Sequence, residues 1–415
     1  MTFGQFFGII KEKEVVRMII RHDYLNAVKP FIDVPLVKIL AGVRRCGKST
    51  IFEMLVQDFS EKGIARENLI ERRYNTPVYE DFSAKEMYAD LLNAICGKGR
   101  CYLFLDEVQE ISGWEKVVNT FLEDHDVDIY VTGSNSKLMS GEISTYLTGR
   151  YVLIPVYTLS LKEYLTFKNK DAAAAREVFD EYVQYGGFPV IGISHFDTRS
   201  AYQVVEGIYA SVITRDISKR HEIRNKELFD RVVRYIVENV GKTFSASSVV
   251  KFLKSENRNL SVETVYNYIL WLQEAFIIYP CKRYDLQGKS VLKTQEKYYL
   301  SDISIKYSQM GFDRKMLSAM FENIVFLEMK RRGYDVYIGK NDTKEIDFVG
   351  VRRDEKIYVQ VCVQLPDEST RETDNLLELK DHYHKYVVCR DPLAVGNENG
   401  IAIMHIADFL MQENW

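Results

Sequence analysis

Apolar runs alternate with amphipathic stretches along the first 157 residues. Residues 36–41 and 102–105 are almost continuously apolar, and residues 127–133 form a third strand-like run. Strands buried on both faces of a parallel sheet show this pattern because neither face contacts water. Residues 1–157 are therefore predicted to form an α/β core with a parallel sheet.

The pattern changes after this core. Residues 158–225 are mainly helical in pattern, which predicts a helical lid. In residues 226–300, three segments with helical spacing precede two alternating segments. Three helices followed by a β-hairpin are the arrangement of a winged-helix domain. Residues 301–415 combine an amphipathic helix with alternating strands, which predicts a second α/β domain.

The composition excludes several classes of protein. A length of 415 residues predicts several domains, and a net charge of -4 gives no overall attraction to nucleic acid. The six cysteines lack CxxC spacing, and the seven histidines lack metal-ligand spacing. No apolar run is long enough to span a membrane, and the N-terminus does not resemble a signal peptide. We therefore expect a cytoplasmic protein that does not contact membranes.

The segment "AGVRRCGKST", residues 41–50, follows the first predicted strand and opens a predicted helix. In this context the pattern GxxxxGK[ST] predicts a phosphate loop that binds ATP. Lys48 is expected to reach the β- and γ-phosphates, and Ser49 to ligate Mg²⁺. The residues expected to contact the nucleotide are Gly42, Arg44, Arg45, Cys46, Gly47, Lys48, Ser49 and Thr50.

Polar residues at the ends of the next two apolar strands complete this site. Asp106 is expected to hold the Mg²⁺ shell, and Glu107 to polarise the attacking water. A side chain after the third strand could orient that water; Asn135 is the first choice and Ser134 the second. The alternative for this last segment is an ordinary turn.

"AGVRRCGKST", "LFLDEVQEI", "VTGSNSKL" and "YLTGR", in this order, resemble the AAA-type ATPases of a large prokaryotic group that carry a C-terminal domain of unknown function. "YGGFP" and "TRDISKR" resemble the lid of that group, and "FEN", "KEIDFV" and "VQVCVQL" resemble its tail. The resemblance implies a homo-oligomer in which Arg150 contacts the γ-phosphate bound by a neighbouring subunit. A structural ion pair is the alternative for Arg150. Arg44 and Arg45 are rivals for this role, and could also pair with Glu107 and hold it idle.

The middle segment carries basic residues where a winged helix contacts DNA. These are Lys251, Lys254, Arg258, Lys282, Arg283, Lys289 and Lys293. We expect Lys254, Arg258, Lys282 and Arg283 to bind DNA, mostly at phosphates. The alternative is that this segment is a strut between domains or a site for a protein partner.

The tail resembles the restriction-endonuclease-like fold, with Glu322, Asp347 and Gln360 in the places of its metal-binding residues. The place of the lysine is taken by Cys362, which supplies no fixed positive charge. We therefore expect a degenerate nuclease-like site that does not cleave DNA.

Together these features predict an ATPase with four domains, at 1–157, 158–225, 226–300 and 301–415. It is expected to form a homo-oligomer and to couple ATP binding or hydrolysis to DNA binding or remodelling. Two alternatives remain open: a nucleotide-dependent regulatory switch that binds a protein partner, and an ATP-governed nuclease.

Overall fold

The structure is a computed structural model that describes residues 18–139, 146–147, 149–288, 290–342, 344–365 and 371–415. Its first sheet has five strands in the order β2-β3-β4-β1-β5, and every neighbouring pair is parallel. The strands are β1 (Val37–Ala41), β2 (Leu69–Arg73), β3 (Cys101–Asp106), β4 (Val127–Gly133) and β5 (Tyr151–Pro155). This arrangement confirms the predicted α/β core with a parallel sheet.

Within the described residues of this core, the α-helices are His22–Val28, Lys48–Glu61, Ala84–Ile95 and Trp114–Asp124. The helix Lys48–Glu61 packs on the sheet through Phe59, whose ring lies 5.9 Å from the rings of both Phe104 and Tyr130. On the neighbouring strands, the buried Lys38 forms an ion pair with the buried Asp128. These contacts fix β1 and the helix that follows it, and thereby the loop between them.

Helices also occupy the segment that was predicted to be a lid. They span Leu161–Phe167, Ala175–Tyr185, Pro189–Gly192 and Thr198–Ser211, and a π-helix follows at Val212–Ser218. Short 3₁₀ helices at Lys29–Phe31, Arg66–Asn68, Pro77–Tyr79, Val108–Glu110, Ser136–Met139, Ala172–Ala174 and Arg314–Met316 lie between the longer elements of the chain.

The second sheet has eight strands in the order β12-β13-β11-β10-β9-β8-β6-β7. They are β6 (Ile278–Asp285), β7 (Ser290–Leu300), β8 (Asp335–Asn341), β9 (Lys344–Arg352), β10 (Glu355–Val361), β11 (His384–Cys389), β12 (Gly396–Glu398) and β13 (Ile401–His405). Four helices accompany the last strands: Ser304–Met310, Leu317–Arg331, Arg371–Leu377 and Ile406–Met411.

The expected boundary at residue 300 does not separate two domains in this sheet. The three predicted helices are present at Lys226–Glu238, Ala246–Ser255 and Val262–Glu274, and the hairpin β6–β7 follows them. However, β6 also pairs in parallel with β8, with Lys282 opposite Tyr337. The hairpin that was expected to be the wing of a separate domain is therefore part of the sheet of the tail.

The lid segment packs against the start of the tail through close polar contacts. A Cβ on Gly186 would lie 2.0 Å from a carboxylate oxygen of Asp302, and the N–H of Gly187 donates to that carboxylate at 2.8 Å. The Thr158 hydroxyl donates to the carbonyl of Ser301 at 3.1 Å. The two glycines of "YGGFP" are thus explained by the close approach of the tail.

Candidate nucleotide-binding site

The loop between β1 and the helix Lys48–Glu61 requires both of its glycines. Gly47 has a φ of 102°, which side chains rarely adopt, and a Cβ on Gly42 would lie 2.0 Å from the carbonyl oxygen of Val156. The Lys48 ammonium lies within this loop and donates to the carbonyls of Gly42 (2.9 Å) and Val43 (3.1 Å). The first N–H groups of the helix point out of its N-terminus, where they favour an anion.

Oxygen atoms suited to Mg²⁺ lie beside the loop. The Ser49 hydroxyl donates to one oxygen of Asp106 at 2.8 Å, and the Thr132 hydroxyl donates to the other. Burial raises the pKa of Asp106, and the hydrogen bond from Thr132 opposes this effect. Hard oxygen ligands of this kind are those that Mg²⁺ prefers, so the residues present fit the ion.

Glu107 is buried directly after β3 and has a φ of 53°. Its N–H donates to the Thr132 hydroxyl at 2.9 Å, which holds the strained backbone in place. Its carboxylate accepts a hydrogen bond from the Gln109 amide, and one of 3.2 Å from the Ser134 hydroxyl. Sequence analysis did not identify Thr132 or Gln109 as part of the site.

The second choice for the residue after β4, Ser134, is the one whose hydroxyl contacts Glu107. Asn135 is also buried at this end of the strand, 7% exposed. Both predicted positions therefore lie inside the site, and the contact with Glu107 distinguishes Ser134.

A cavity of ≈ 690 Å³ extends from the phosphate loop to the lid segment. On the loop side it is lined by Arg45, Gly47, Lys48, Ser49, Thr50 and Glu107, and on the lid side by the apolar residues Pro189, Val190, Ile193, Val204 and Ile208. Its charged end and its apolar end suit a molecule with phosphates at one end and an aromatic base at the other.

Arg44 does not pair with Glu107, which corrects one of the alternatives raised above. Its guanidinium forms a two-pronged contact with Asp216 in the π-helix of the lid, at 2.8 and 3.0 Å. The Asp216 side chain is fully buried and also accepts a hydrogen bond of 2.7 Å from Ser134. The segment "TRDISKR" thus reaches into the site.

Arg21 contacts the phosphate loop and stabilises it, although the sequence did not identify this residue. Its guanidinium donates to the carbonyl of Cys46 at 2.8 Å and forms an ion pair with Glu163 at 2.7 Å. Arg21 and Glu163 are 142 residues apart. No local spacing connects two such residues, although Glu163 could be recognised as part of the helix-capping pair with Ser160.

Arg150 lies far from the phosphate loop of its own chain. Its carbonyl accepts from the N–H of Val37 at the start of β1, whereas the loop follows the end of that strand. Its exposed guanidinium pairs with Glu123 at 2.9 Å. A role at the site of the same chain is therefore excluded, and a role at the site of a neighbouring subunit or in a surface ion pair remains.

Comparisons with known proteins agree with this geometry. Residues 35–165 match a family described as an AAA domain, and residues 176–315 match a domain of unknown function (DUF8612). An uncharacterised protein of Haemophilus influenzae is 35% identical over 95% of this chain and 99% of its own length. An uncharacterised protein of Methanocaldococcus jannaschii is 30% identical over 81% of this chain and 77% of its own. The chain belongs to the family of these AAA-domain proteins.

Solved structures show only a weak likeness. Cdc6p from Pyrobaculum aerophilum has a TM-score of 0.29 at 9% identity, with 76% of this chain and 97% of that chain covered. The ORC2 protein of Aeropyrum pernix has a TM-score of 0.35 at 13% identity, with 74% and 92% covered. Nothing further follows from scores this low. The expected AAA-type P-loop core is confirmed by the family match, and the restriction-endonuclease-like tail stays a prediction.

Outside the AAA domain, two of the four residues expected to bind DNA form ion pairs with carboxylates of the same chain. Arg258 pairs with Glu227 at 2.6 Å, and Arg283 pairs with Glu345 at 2.7 Å. Lys254 and Lys282 are exposed. Lys289 and the side chain of Lys293 lie outside the part that the structure describes.

The third of the helices before the hairpin, Val262–Glu274, exposes an apolar stripe beside the polar residues Glu263 and Asn267. Val262, Tyr266 and Leu270 recur at every fourth position and are 40%, 54% and 50% exposed. Apolar stripes of this kind are typical of surfaces that bind protein.

The structure brings the predicted carboxylates of the tail together, and it supplies a cation that sequence analysis did not find. Lys297 on β7 is 5% exposed, and its ammonium lies 2.8 Å from Glu345 and 3.6 Å from Glu322. Asp347 is buried beside them, and its N–H donates to Gln360 at 3.2 Å. Burial lowers the pKa of Lys297, but the three carboxylates outweigh this effect and raise it.

The conclusion that this cluster lacks a cation is therefore wrong. Cys362 is buried as expected, but Lys297 supplies the positive charge from another strand. Lys344, which lies near the cluster in sequence, pairs with Glu378 at 2.5 Å. Among the described residues, no group of three or more His, Cys, Asp or Glu side chains is arranged to hold a metal ion.

In the same part of the chain, no helix is long and apolar enough to cross a membrane.

Proposed function

We propose that this protein binds ATP with Mg²⁺ and hydrolyses it. The observation that carries the proposal is the placement of Lys48, Ser49, Asp106 and Glu107 around one loop, beside a cavity with an apolar end. The match to an AAA domain over residues 35–165 supports it independently.

Each residue has a distinct task in this proposal. Lys48 exchanges its two loop carbonyls for phosphate oxygens, and Ser49 and Asp106 would hold Mg²⁺, which would supply positive charge against the phosphates. Glu107 accepts a hydrogen bond from the attacking water and polarises it, while Ser134 and Gln109 fix the direction of its carboxylate.

The apolar lid residues that line the cavity take up the base. Val204 and Ile208 lie one turn apart on the helix Thr198–Ser211. The lid would therefore contact the base through this helix and the phosphate loop through Asp216. Its contacts would differ between the filled and the empty site.

Two variants test the proposal in the full chain. Lys48→Ala is expected to weaken ATP binding at least about tenfold, because a charged contact to phosphate is lost. Lys62→Ala is the matched control, since Lys62 lies just after the same helix and is exposed. Glu107→Gln is expected to leave binding largely intact and to lower kcat about 100-fold or more. Hydrolysis by Glu107→Gln at the rate of the wild type would refute the role of Glu107.

We further propose that a homo-oligomer couples this ATP cycle to DNA, with Lys254 and Lys282 as exposed phosphate contacts. The test is the hydrolysis rate with and without duplex DNA, together with the mass of the assembly in each nucleotide state. A protein that acts on DNA should hydrolyse ATP faster in its presence.

The exposed stripe Val262–Tyr266–Leu270 favours a second candidate function, in which the nucleotide state controls docking of a protein partner. The variant Tyr266→Glu tests whether this stripe contacts DNA. It should leave DNA stimulation nearly unchanged if Lys254 and Lys282 carry DNA binding. If the helix contacts DNA directly, Tyr266→Glu should abolish the stimulation.

A further inference from the structure

Asp216 occupies an unusual position between the lid and the nucleotide site. It lies in the π-helix Val212–Ser218, its side chain is fully buried, and it contacts the phosphate loop through Arg44. The contact has two prongs, at 2.8 and 3.0 Å, which is the strongest geometry available to an arginine and a carboxylate. Arg44, in contrast, belongs to the loop that would hold a triphosphate.

A second arginine lies beside the carboxylate of Asp216 and can take the place of Arg44 there. Arg220 lies 3.6 Å from the same carboxylate, and its two terminal nitrogens are buried without a hydrogen-bond partner among the described residues. A buried carboxylate that loses its only cation is costly. Because Arg220 remains beside Asp216, releasing Arg44 does not leave this charge uncompensated.

Ser134 connects Asp216 to the residue proposed to activate water. Its hydroxyl has one hydrogen but two carboxylate neighbours, Asp216 at 2.7 Å and Glu107 at 3.2 Å. Only one of them can receive the hydrogen at a time. The position of Asp216 therefore affects which donors Glu107 retains.

We propose that Asp216 is a latch: in the nucleotide-free protein it withholds Arg44 from the phosphate site, and a bound triphosphate takes Arg44 over and transfers Asp216 to Arg220. This inference rests on the proposed nucleotide binding. It adds that part of the free energy of ATP binding is used to break the contact between Arg44 and Asp216. Because Asp216 belongs to the lid, the contacts of the lid change when the site is filled.

The variant Asp216→Asn tests the latch because it keeps the shape and removes the charge. Affinity is measured by calorimetric titration with a non-hydrolysable ATP analogue in the presence of Mg²⁺, so that hydrolysis does not contribute. A latch predicts tighter binding, by about tenfold, the effect of one hydrogen bond between charged groups. A merely structural role for Asp216 predicts weaker binding, so the direction of the change decides.

Glu110→Gln is the matched control for the loss of one negative charge. Glu110 of the core forms a neighbouring ion pair with Lys219 of the lid, at 2.9 Å. The affinity of the Glu110→Gln variant for ATP should stay within about twofold of the wild type, because the ion pair between Glu110 and Lys219 is exposed on the Lys219 side. In an Arg44→Ala background, Asp216→Asn should no longer increase affinity, because the residue that the latch withholds is absent.

The outcomes separate this inference from the proposed function. A wild-type protein that binds no ATP refutes both. A wild-type protein that binds ATP, with a folded Asp216→Asn variant that binds equally or more weakly, refutes only the latch. A gain that persists in Arg44→Ala also refutes it. If Asp216→Asn does not fold, Asp216→Ser is titrated instead, with the same expected direction.

Discussion

Replacing Lys297 by methionine removes the ammonium that lies in the carboxylate cluster of the tail and keeps most of the packing. Its partners Glu322 and Asp347 then stay buried without a cation. Breaking a buried ion pair in this way costs about 3–5 kcal/mol. Glu345 contributes little to this loss, because it is 34% exposed and retains Arg283. We therefore expect a loss near the lower limit at pH 8.

The loss should depend on pH in a direction that the structure determines. Burial raises the pKa of Glu322, and Lys297 opposes this effect; burial, reinforced by Glu322, also raises the pKa of Asp347. A carboxyl with a raised pKa contributes stability below its unfolded pKa of about 4, and loses it as the pH rises through the folded value. Without Lys297 both folded values rise further. The variant should therefore lose less stability at pH 5 than at pH 8.

The measurement is urea unfolding followed by circular dichroism at both pH values. Lys282→Met on the adjacent strand is the control, because Lys282 is exposed. Adding Glu322→Gln to Lys297→Met should restore part of the stability, since one uncompensated charge is removed. A loss that is equal at pH 5 and pH 8 would show that packing, not charge, explains the effect. A loss no larger than that of Lys282→Met would refute the reasoning altogether.

Three further predictions concern the remaining surfaces. If Arg150 acts on a neighbouring subunit, mixing Arg150→Ala and Lys48→Ala chains should restore hydrolysis that neither has alone; verified co-assembly without restoration would leave only the ion pair with Glu123. DNA affinity should fall as salt rises, and replacing Lys254 and Lys282 by glutamine should flatten this dependence; an unchanged slope would place the contact elsewhere. Supercoiled plasmid should stay intact with Mg²⁺ or Mn²⁺, with and without ATP, because Gln360 is neutral and no group of three or more His, Cys, Asp or Glu side chains suited to a metal ion occurs among the described residues; nicking that disappears in Asp347→Ala would contradict this.

The parts of the site that depend on local sequence could be predicted. The glycines, Lys48 and Ser49 lie in one short segment, and Asp106 and Glu107 follow one apolar strand. Chain geometry alone brings such residues to one edge of a parallel sheet. Lys297, Arg21 and Asp216 could not be assigned in this way, because the partners that place them in these sites, Glu322, Cys46 and Ser134, lie 25 or more residues away in the chain.

The fold shows the same limit. Of the three helices between residues 226 and 274, the second and third begin directly after the capping residues Ser245 and Ser261, and such caps are a local signal. The pairing of β6 with β8 depends on which strand edge meets which, and the alternating pattern of a strand does not identify its neighbour. The pairing of strands across residue 300 could therefore not be predicted from the sequence.

The continuous eight-stranded sheet also restricts how this protein can have been assembled during evolution. Because β6 lies between β7 and β8, a chain that ended at residue 300 would leave one edge of β6 without its partner. A bare edge of this kind promotes association with other chains. A gene recombination that exchanged the tail alone would therefore have been selected against, and the hairpin and the tail should be inherited as one unit.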